Sequence, residues 1–297
     1  MDSAADGADV HVGKWRDAPI DIPAGTSEFA VGDVHGEADL LRPLLERRDR
    51  IAPGAHLTFL GDLADRGTDS PGALRSALDH VLARPADTSF LPGNHEQMLL
   101  AATRGLRSPS YGDFMANGGR WLEEHWRPRE EPGAKALDRL LGPAAHAVLD
   151  QGGAMVGAGD AAAVLHRRTG NLVLVHAGVD PFAQDLAEWF ALSRPMGTDD
   201  LHPLWIRDQF LSHPDPYPGG TFVVHGHTPE FRTIRSDGRR APRGEHARDG
   251  WRLGLDGGSF MTGIVAAAVL EPGRYRTVTS RRREGRRIPA GASPDFP

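Results

Sequence analysis

Five short clusters in this chain carry side chains suited to holding divalent cations. They are Gly32-Asp33-Val34-His35-Gly36, Gly61-Asp62-Leu63-Ala64-Asp65-Arg66-Gly67, Gly93-Asn94-His95-Glu96, His176-Ala177-Gly178 and His225-Gly226-His227-Thr228. Each falls where an apolar run ends. The neighbouring glycines let the backbone turn tightly and approach a ligand. Carboxylate, imidazole and amide oxygen suit hard-to-borderline metals, and the chain offers no thiolate. Asp33 and His35 are two residues apart, so both can point into one site as a strand ends. Asp62 supplies a carboxylate able to bridge two cations ~3.5–4 Å apart, the separation usual in two-metal hydrolases. Asn94, His176 and His227 can complete the second ion. Two ions so held would lower the pKa of a shared water from ~15.7 toward ~7, making a hydroxide nucleophile at neutral pH.

The remaining polar residues answer the other needs of phosphoryl transfer. Phosphoryl oxygens carry spread negative charge, which guanidinium forks match. Arg66 follows Asp65 directly, and Arg207 lies in Trp205-Ile206-Arg207-Asp208. A leaving alkoxide needs a proton. His95 stands beside a candidate ligand, and Asp65 can orient it or hold it charged. The sequence has no cysteine among 297 residues, which excludes a disulfide framework, a thiolate zinc site and a cysteine nucleophile. The formal charge of −6 gives no broad basic excess, so nucleic acid is not an expected partner. No stretch approaches the ~20 apolar residues of a membrane span. The polar segment from Met1 to Lys14 lacks the core of a secretory signal, so the expected setting is cytoplasmic.

The elements that must position these residues follow from hydrophobic periodicity. Glu28 to Val31 reads as a short strand running into Gly32. Residues 37–50 read as a helix with Leu40, Leu41, Leu44 and Leu45 on one face. His56 to Leu60 reads as a buried strand, Ser70-Pro71 as the N-cap and first residue of a helix reaching about Ala83, and Ser89 to Leu91 as the next strand. This alternation predicts an α/β layered fold with ligands at the carboxyl edge of its sheet. Late strands at Leu172–Val175, Phe222–Val224, Trp251–Leu255 and Ile264–Leu270 have no long helices between them, which predicts antiparallel or mixed pairing. Residues 1–27 read as a loose arm, 28–280 as one domain with a helical insertion at about 100–170, and 281–297 as a disordered basic tail. Trp121, Trp126 and Phe114 read as core packing of the insertion. Arg281-Arg282-Arg283 reads as solvated tail. Alternation turns His225 away from the His227 side, giving it a structural role.

The first three motifs resemble the GDxHG, GDxxDRG and GNHE signature of the phosphoprotein phosphatase family of calcineurin-like metallophosphoesterases. They occur in order, with 29 residues from Asp33 to Asp62 and 32 from Asp62 to Asn94. The similarity is to the compact bacterial and phage serine/threonine phosphatases, and it covers roughly residues 28–270. The resemblance implies a central β-sandwich of mixed sheets flanked by helices, with the site at one edge. It places the first metal on Asp33, His35 and Asp62, and the second on Asp62, Asn94, His176 and His227. It places the catalytic acid on His95, its partner on Asp65, and the phosphate-binding arginines on Arg66 and Arg207. The implied cofactors are two divalent ions, manganese foremost, with iron or zinc accepted by the same ligands. The implied substrate is a phosphoprotein or other phosphomonoester.

The chain departs from the family pattern at Ala64, where a bulky aliphatic residue is usual, and at Thr68, where proline is frequent. Asp256-Gly257-Gly258 stands where Asp-Thr-Gly is common. Diesterase relatives carry a further metal-binding histidine at the position of Pro229, so its absence favours monoesters. The competing expectation is a symmetric bis(5'-nucleosyl)-tetraphosphate hydrolase. Relatives with that activity tend to read Asn-His-Asp where this chain reads Asn94-His95-Glu96. A third reading, a degenerate non-catalytic binding module, should have lost a ligand or the acid, and none is lost.

Overall fold

The computed structural model describes residues 8–105, 111–153, 165–191, 201–229 and 250–283. Its central strands are buried on both faces because both faces are covered. Strand β3 (Glu28–Val31) is preceded by β1 (Ala8–Val12) and β2 (Arg16–Asp17). Helix α1 (Ala38–Ile51) then leads to β4 (His56–Phe59), and α2 (Ser70–Ala83) to β5 (Thr88–Phe90). Strands β3, β4 and β5 run parallel, with both helices as crossovers.

Four helices follow: α3 (Asn94–Thr103), α4 (Tyr111–Ala116), α5 (Gly133–Leu141) and α6 (Pro143–Gly153), with a 3₁₀ turn at Gly119–Glu124. The second sheet holds β6 (His166–Thr169), β7 (Leu172–Val175), β8 (Phe222–His225) and β9 (Arg252–Gly254) in that order. The short helices α7 (Leu186–Ala191) and α8 (Asp208–Leu211) lie between β7 and β8. A last short helix, α9 (Ser259–Thr262), leads back to the first sheet through β10 (Ile264–Glu271) and β11 (Arg274–Arg282). That sheet runs β1-β11-β10-β3-β4-β5, with β2 also paired to β11.

The period-2 alternation of each strand sorts side chains into layers. Phe29, Val31, Leu57 and Phe59 join α1 and α2 in one core, while Ala30 and Leu60 meet Leu172, Leu174, Phe222 and Val224 between the sheets. Val173, Val175 and Val223 turn to the far side and pack on Trp189, Phe190 and Phe210. The result is a sandwich of two mixed sheets flanked by helices, as the motif resemblance implied. Full burial of one such side chain is worth about 1.5–3 kcal/mol, so these layers fix the register of the strand ends. No helix among the described residues is long and apolar enough to cross a membrane.

Three expectations need correction. Residues 8–22 are no loose arm: β1 pairs over five positions with β11, and Ala18, Ile20 and Ile22 alternate into the layer between the sheets. Asn171 pins this segment, its Nδ2 donating to Pro19 O at 2.8 Å and its Oδ1 accepting from Asp21 N–H at 2.7 Å. Arg281 and Arg282 belong to β11, and Arg282 pairs with Glu37 and with Asp39 at 2.8 Å. Arg283 meets Asp9 at 2.9 Å, and the rest of the expected tail, 284–297, lies outside the described residues. The cap of α2 is Asp69, which accepts from Gly72 N–H at 2.8 Å, because Ser70 Oγ is already engaged by Asp65 N–H at 2.9 Å. Phe114 and Trp126 of the insertion share one core with α1 and α2, as expected, and Trp121 packs against it while its N–H reaches a further partner, described below.

His225 ends β8 facing away from the candidate ligands, edge-on to Phe210 with ring centroids 5.0 Å apart. Burial pushes its imidazole down to about 3. Below pH ~6.5 the unfolded chain binds a proton that the folded ring refuses, so stability should fall as pH drops from there, by about 1.4 kcal/mol per unit. Replacing His225 by Gln is expected to flatten that slope. Urea midpoints measured from about pH 7.5 to about pH 5 would check it, and an unchanged slope would assign the effect to other buried histidines.

Candidate active site

Six strands of the two sheets deliver their carboxyl ends to one place. Asp33 and His35 follow β3, Asp62 and Asp65 follow β4, and Asn94 and His95 begin α3 after β5. His176, His227 and Asp256 follow β7, β8 and β9. The turns that aim them are strained. Among the described residues, five that are not glycine hold positive φ: His35 (46°), Asp62 (50°), Asp65 (73°), Arg66 (68°) and His227 (65°). All five belong to this cluster. Such conformations cost about 1–3 kcal/mol each and persist where the surroundings over-determine them. Two glycines admit the carboxylates: a Cβ at Gly226 would lie 1.9 Å from Asp33 Oδ1, and one at Gly93 would lie 2.1 Å from Asp62 Oδ1.

Glu96 organises the second motif, a role the sequence reading did not assign. Its Oε2 accepts from the N–H groups of Gly93 and Asp62, and its Oε1 from that of Leu63, each at 2.8 Å. One buried carboxylate thus fixes the loop that carries Asp62 to the helix that carries Asn94 and His95. The signal was a helix start with glutamate at its third position.

The histidine tautomers follow from their partners. His35 Nδ1 lies 3.1 Å from Ala64 O and His176 Nδ1 lies 2.8 Å from Leu60 O. A carbonyl only accepts, so both Nδ1 atoms carry the proton and both Nε2 atoms are bare. His35 Nε2 faces Asp33 Oδ2 at 3.9 Å and Asp62 Oδ2 at 3.7 Å. His176 Nε2 faces Asn94 Oδ1 at 3.0 Å and Asp62 Oδ1 at 3.4 Å. His227 Nδ1 lies 2.9 Å from the same Asn94 oxygen, and its backbone N–H donates to both oxygens of Asp33 at 3.0 Å.

The charge balance points the same way. Burial, then the neighbouring Asp256 and Asp62, hold the Asp33 carboxyl well above its ordinary range. Burial pushes Asp62 and Asp256 each up to about 6. Burial pushes His176 down to about 4 and holds His35 and His227 well below the usual imidazole range. Asp256 Oδ1 accepts from Gly258 N–H at 2.8 Å, while its buried Oδ2 has no partner among the described residues. Carboxylates crowded out of water, neutral imidazoles with bare nitrogens aimed at acceptors, and an orphaned carboxylate oxygen are the donor set of a cation site. His35 and His95 with Asp62, and His176 and His227 with Asp62, form two groups whose candidate ligand atoms lie within 4.8 Å of one another. Asp62 belongs to both, whereas Asp33, expected beside His35, belongs to neither, and His95 takes its place in the first group.

His95 and Asp65 form a buried pair, Nδ1 to Oδ2 at 2.6 Å. His95 Nε2 points into the cluster, 3.9 Å from Asp62 Oδ2. Asp65 Oδ1 accepts from Trp121 Nε1 at 2.6 Å, so the tryptophan that packs against the core, as expected, also reaches the acid pair. Arg66 lies with Nη1 3.0 Å from His35 Nε2 and its guanidinium 5.1 Å from the Phe260 ring centroid. Arg207 is held beside the last motif, Nη1 donating to Thr228 Oγ1 at 2.8 Å and to His227 O at 3.2 Å. Every residue singled out in the five motifs, and Arg207, is therefore brought to one site, with His225 outside it.

The sequence profile of calcineurin-like phosphoesterases matches residues 29–254. The chain belongs to the calcineurin-like phosphoesterase family. That family works with divalent metals. Among the curated relatives of this phosphoesterase, a symmetrical bis(5'-nucleosyl)-tetraphosphatase of Janthinobacterium sp. (strain Marseille) is 37% identical over 117 residues, 38% of this chain and 41% of the relative. Serine/threonine-protein phosphatase 1 of Salmonella typhimurium is 38% identical over 95 residues, 32% of this chain and 39% of the relative. Serine/threonine-protein phosphatase 2 of Escherichia coli is 33% identical over 113 residues, 38% of this chain and 46% of the relative. The chain spans less than half the length of each of these relatives. A protein serine/threonine phosphatase structure from Saccharomyces cerevisiae shares the fold, with a TM-score of 0.50 at 14% identity, covering 87% of this chain and 81% of that one.

Proposed function

We propose that this phosphoesterase is a dinuclear-metal phosphomonoesterase acting on phosphoserine and phosphothreonine in proteins. The observation that carries the reading is a single buried cluster in which Asp62 is common to two candidate metal-holding groups, and His95, itself in one of them, is tied to Asp65. Asp33, His35 and Asp62 would hold one ion, and Asp62, Asn94, His176 and His227 the other. Divalent ions there, manganese foremost, supply a hydroxide nucleophile at neutral pH and neutralise charge on the phosphoryl group.

The protein's own residues do the rest. Arg66 and Arg207 bind phosphoryl oxygens and orient the ester. His95 Nε2 delivers a proton to the leaving oxygen, and Asp65 accepts from Nδ1–H to fix the ring. No cysteine is present to form a phosphoenzyme, and none is needed. The short reach of Pro229, where diesterase relatives carry histidine, supports a monoester substrate.

A second reading, symmetric cleavage of a dinucleoside tetraphosphate, is favoured by the Janthinobacterium relative and uses the same cluster. Phosphate release from a phosphoserine/phosphothreonine peptide and ADP release from diadenosine tetraphosphate, compared in one manganese buffer with a chelated control, separate the two. We expect higher kcat/KM on the peptide, abolished by the chelator. Higher kcat/KM on the dinucleotide would replace the protein phosphatase by nucleotide hydrolysis.

A further inference from the structure

Asp65 has two carboxylate oxygens and two side-chain donors. His95 takes Oδ2, and the indole N–H of Trp121, from 56 residues along the chain, takes Oδ1 at the same 2.6 Å. We propose that Trp121 is a positioning residue for the proposed acid, clamping Asp65 so that its free oxygen meets His95 Nδ1 squarely.

Three features of the insertion support this. The residues just before Trp121 grip the same loop: Arg66 N–H donates to Gly118 O at 3.3 Å. Gly118 holds φ 110°, and a Cβ there would lie 2.7 Å from the Arg66 side chain and 2.9 Å from its backbone nitrogen. Only glycine therefore allows this approach. The gripped residues, Asp65 and Arg66, are two of the five with strained positive φ, which need outside contacts to persist. The third feature is chemical. An indole donates and cannot accept, so Trp121 can hold the carboxylate without competing for the proton that His95 handles. Its bond also favours the ionised carboxylate, against the burial that pushes Asp65 upward.

The same contacts tie the 3₁₀ turn Gly119–Glu124 to the reaction. Phe114 and Leu122 seat that turn in the core shared with α1 and α2, so the indole is presented by a rigid element. The insertion thereby completes the site instead of merely covering it.

The inference rests on His95 acting as the acid, and the test keeps the two apart. Trp121→Phe preserves the ring and removes only the N–H. Turnover of a phosphoserine peptide is expected to fall about tenfold to a hundredfold with KM nearly unchanged, the loss of a hydrogen bond to a charged group. Turnover of p-nitrophenyl phosphate, whose leaving group needs no proton, is expected to fall far less. In a His95→Ala background, Trp121→Phe is expected to add nothing. A tryptophan that merely packs would lower both substrates equally, or add to His95→Ala, and either result overturns the proposal. If His95→Ala itself leaves peptide turnover intact, the acid assignment falls and the proposal with it. A readout independent of turnover is the indole N–H proton resonance of the metal-free protein. It is expected far downfield and shifted by Asp65→Asn, and a resonance that ignores Asp65→Asn overturns the clamp even where Trp121→Phe fails to fold.

Discussion

Asp62→Asn is expected to lower phosphomonoester turnover by about three orders of magnitude or more while raising the stability of the metal-free protein. The two effects share one cause. Burial pushes the Asp62 carboxyl up to about 6 from an ordinary 3.8. A carboxyl whose folded pKa is raised contributes stability below its unfolded pKa and loses it as pH rises through the folded one. At about pH 7.5 the ionised group is therefore a cost, on the order of a few kcal/mol. Asparagine is isosteric, carries no charge, and keeps an acceptor for the His95 N–H that now donates to Asp62 Oδ1 at 3.0 Å. Thermal unfolding in chelator should move up, and the further rise on adding manganese should shrink, because ligands stabilise only what they bind. A variant that melts lower in chelator yet keeps the full manganese shift would remove Asp62 from the ligand set.

His95→Ala should separate substrates by their leaving groups. A general acid contributes about 10²–10⁴-fold where the departing oxygen is basic. A phosphoserine peptide should lose that much, and p-nitrophenyl phosphate far less. The geometry behind this is the ring nitrogen that faces the cluster while its partner is tied to Asp65 at 2.6 Å. Equal losses on both substrates would make His95 a binding or structural residue. Because His95 is buried against His35, ring centroids 4.8 Å apart, circular dichroism should accompany the kinetics.

The candidate site was largely legible because its residues sit where apolar strands end, and strand ends are set by local pattern. The central strands read clearly because Leu172 to Val175 and Phe222 to Val224 are apolar without break, as strands covered on both faces must be. The arm before β3 did not read as structure, although Ala18, Ile20 and Ile22 alternate. The groups that hold its backbone, Asn171 and Gly273, lie far along the chain, and Pro19 and Asp21 disguise the period. Strand β11 was hidden by its arginines. Those side chains are satisfied by distant groups, Arg282 by Glu37 and Asp39, and Arg274 and Arg276 by the Trp15 ring at 4.2 and 4.6 Å. Ser70 looked like a cap because serine caps helices, but a nearer claim from Asp65 N–H left Asp69 to do it. Trp121 read only as core packing, since its bond to Asp65 depends on the folded insertion that brings its N–H there.

The pairing of β3 has a consequence for synthesis. One edge of β3 is filled by β4, which emerges within thirty residues, while the other waits for β10, whose Ala267 pairs with Val31. Until the ribosome has delivered that late strand, Phe29, Ala30 and Val31 present an apolar edge with open hydrogen-bonding groups, the kind of template on which nascent chains aggregate. Ligand groups on both sides of the cluster are likewise separated by most of the chain. A chain assembled in this order closes that edge, and brings both halves of the cluster together, only after β10 has been made.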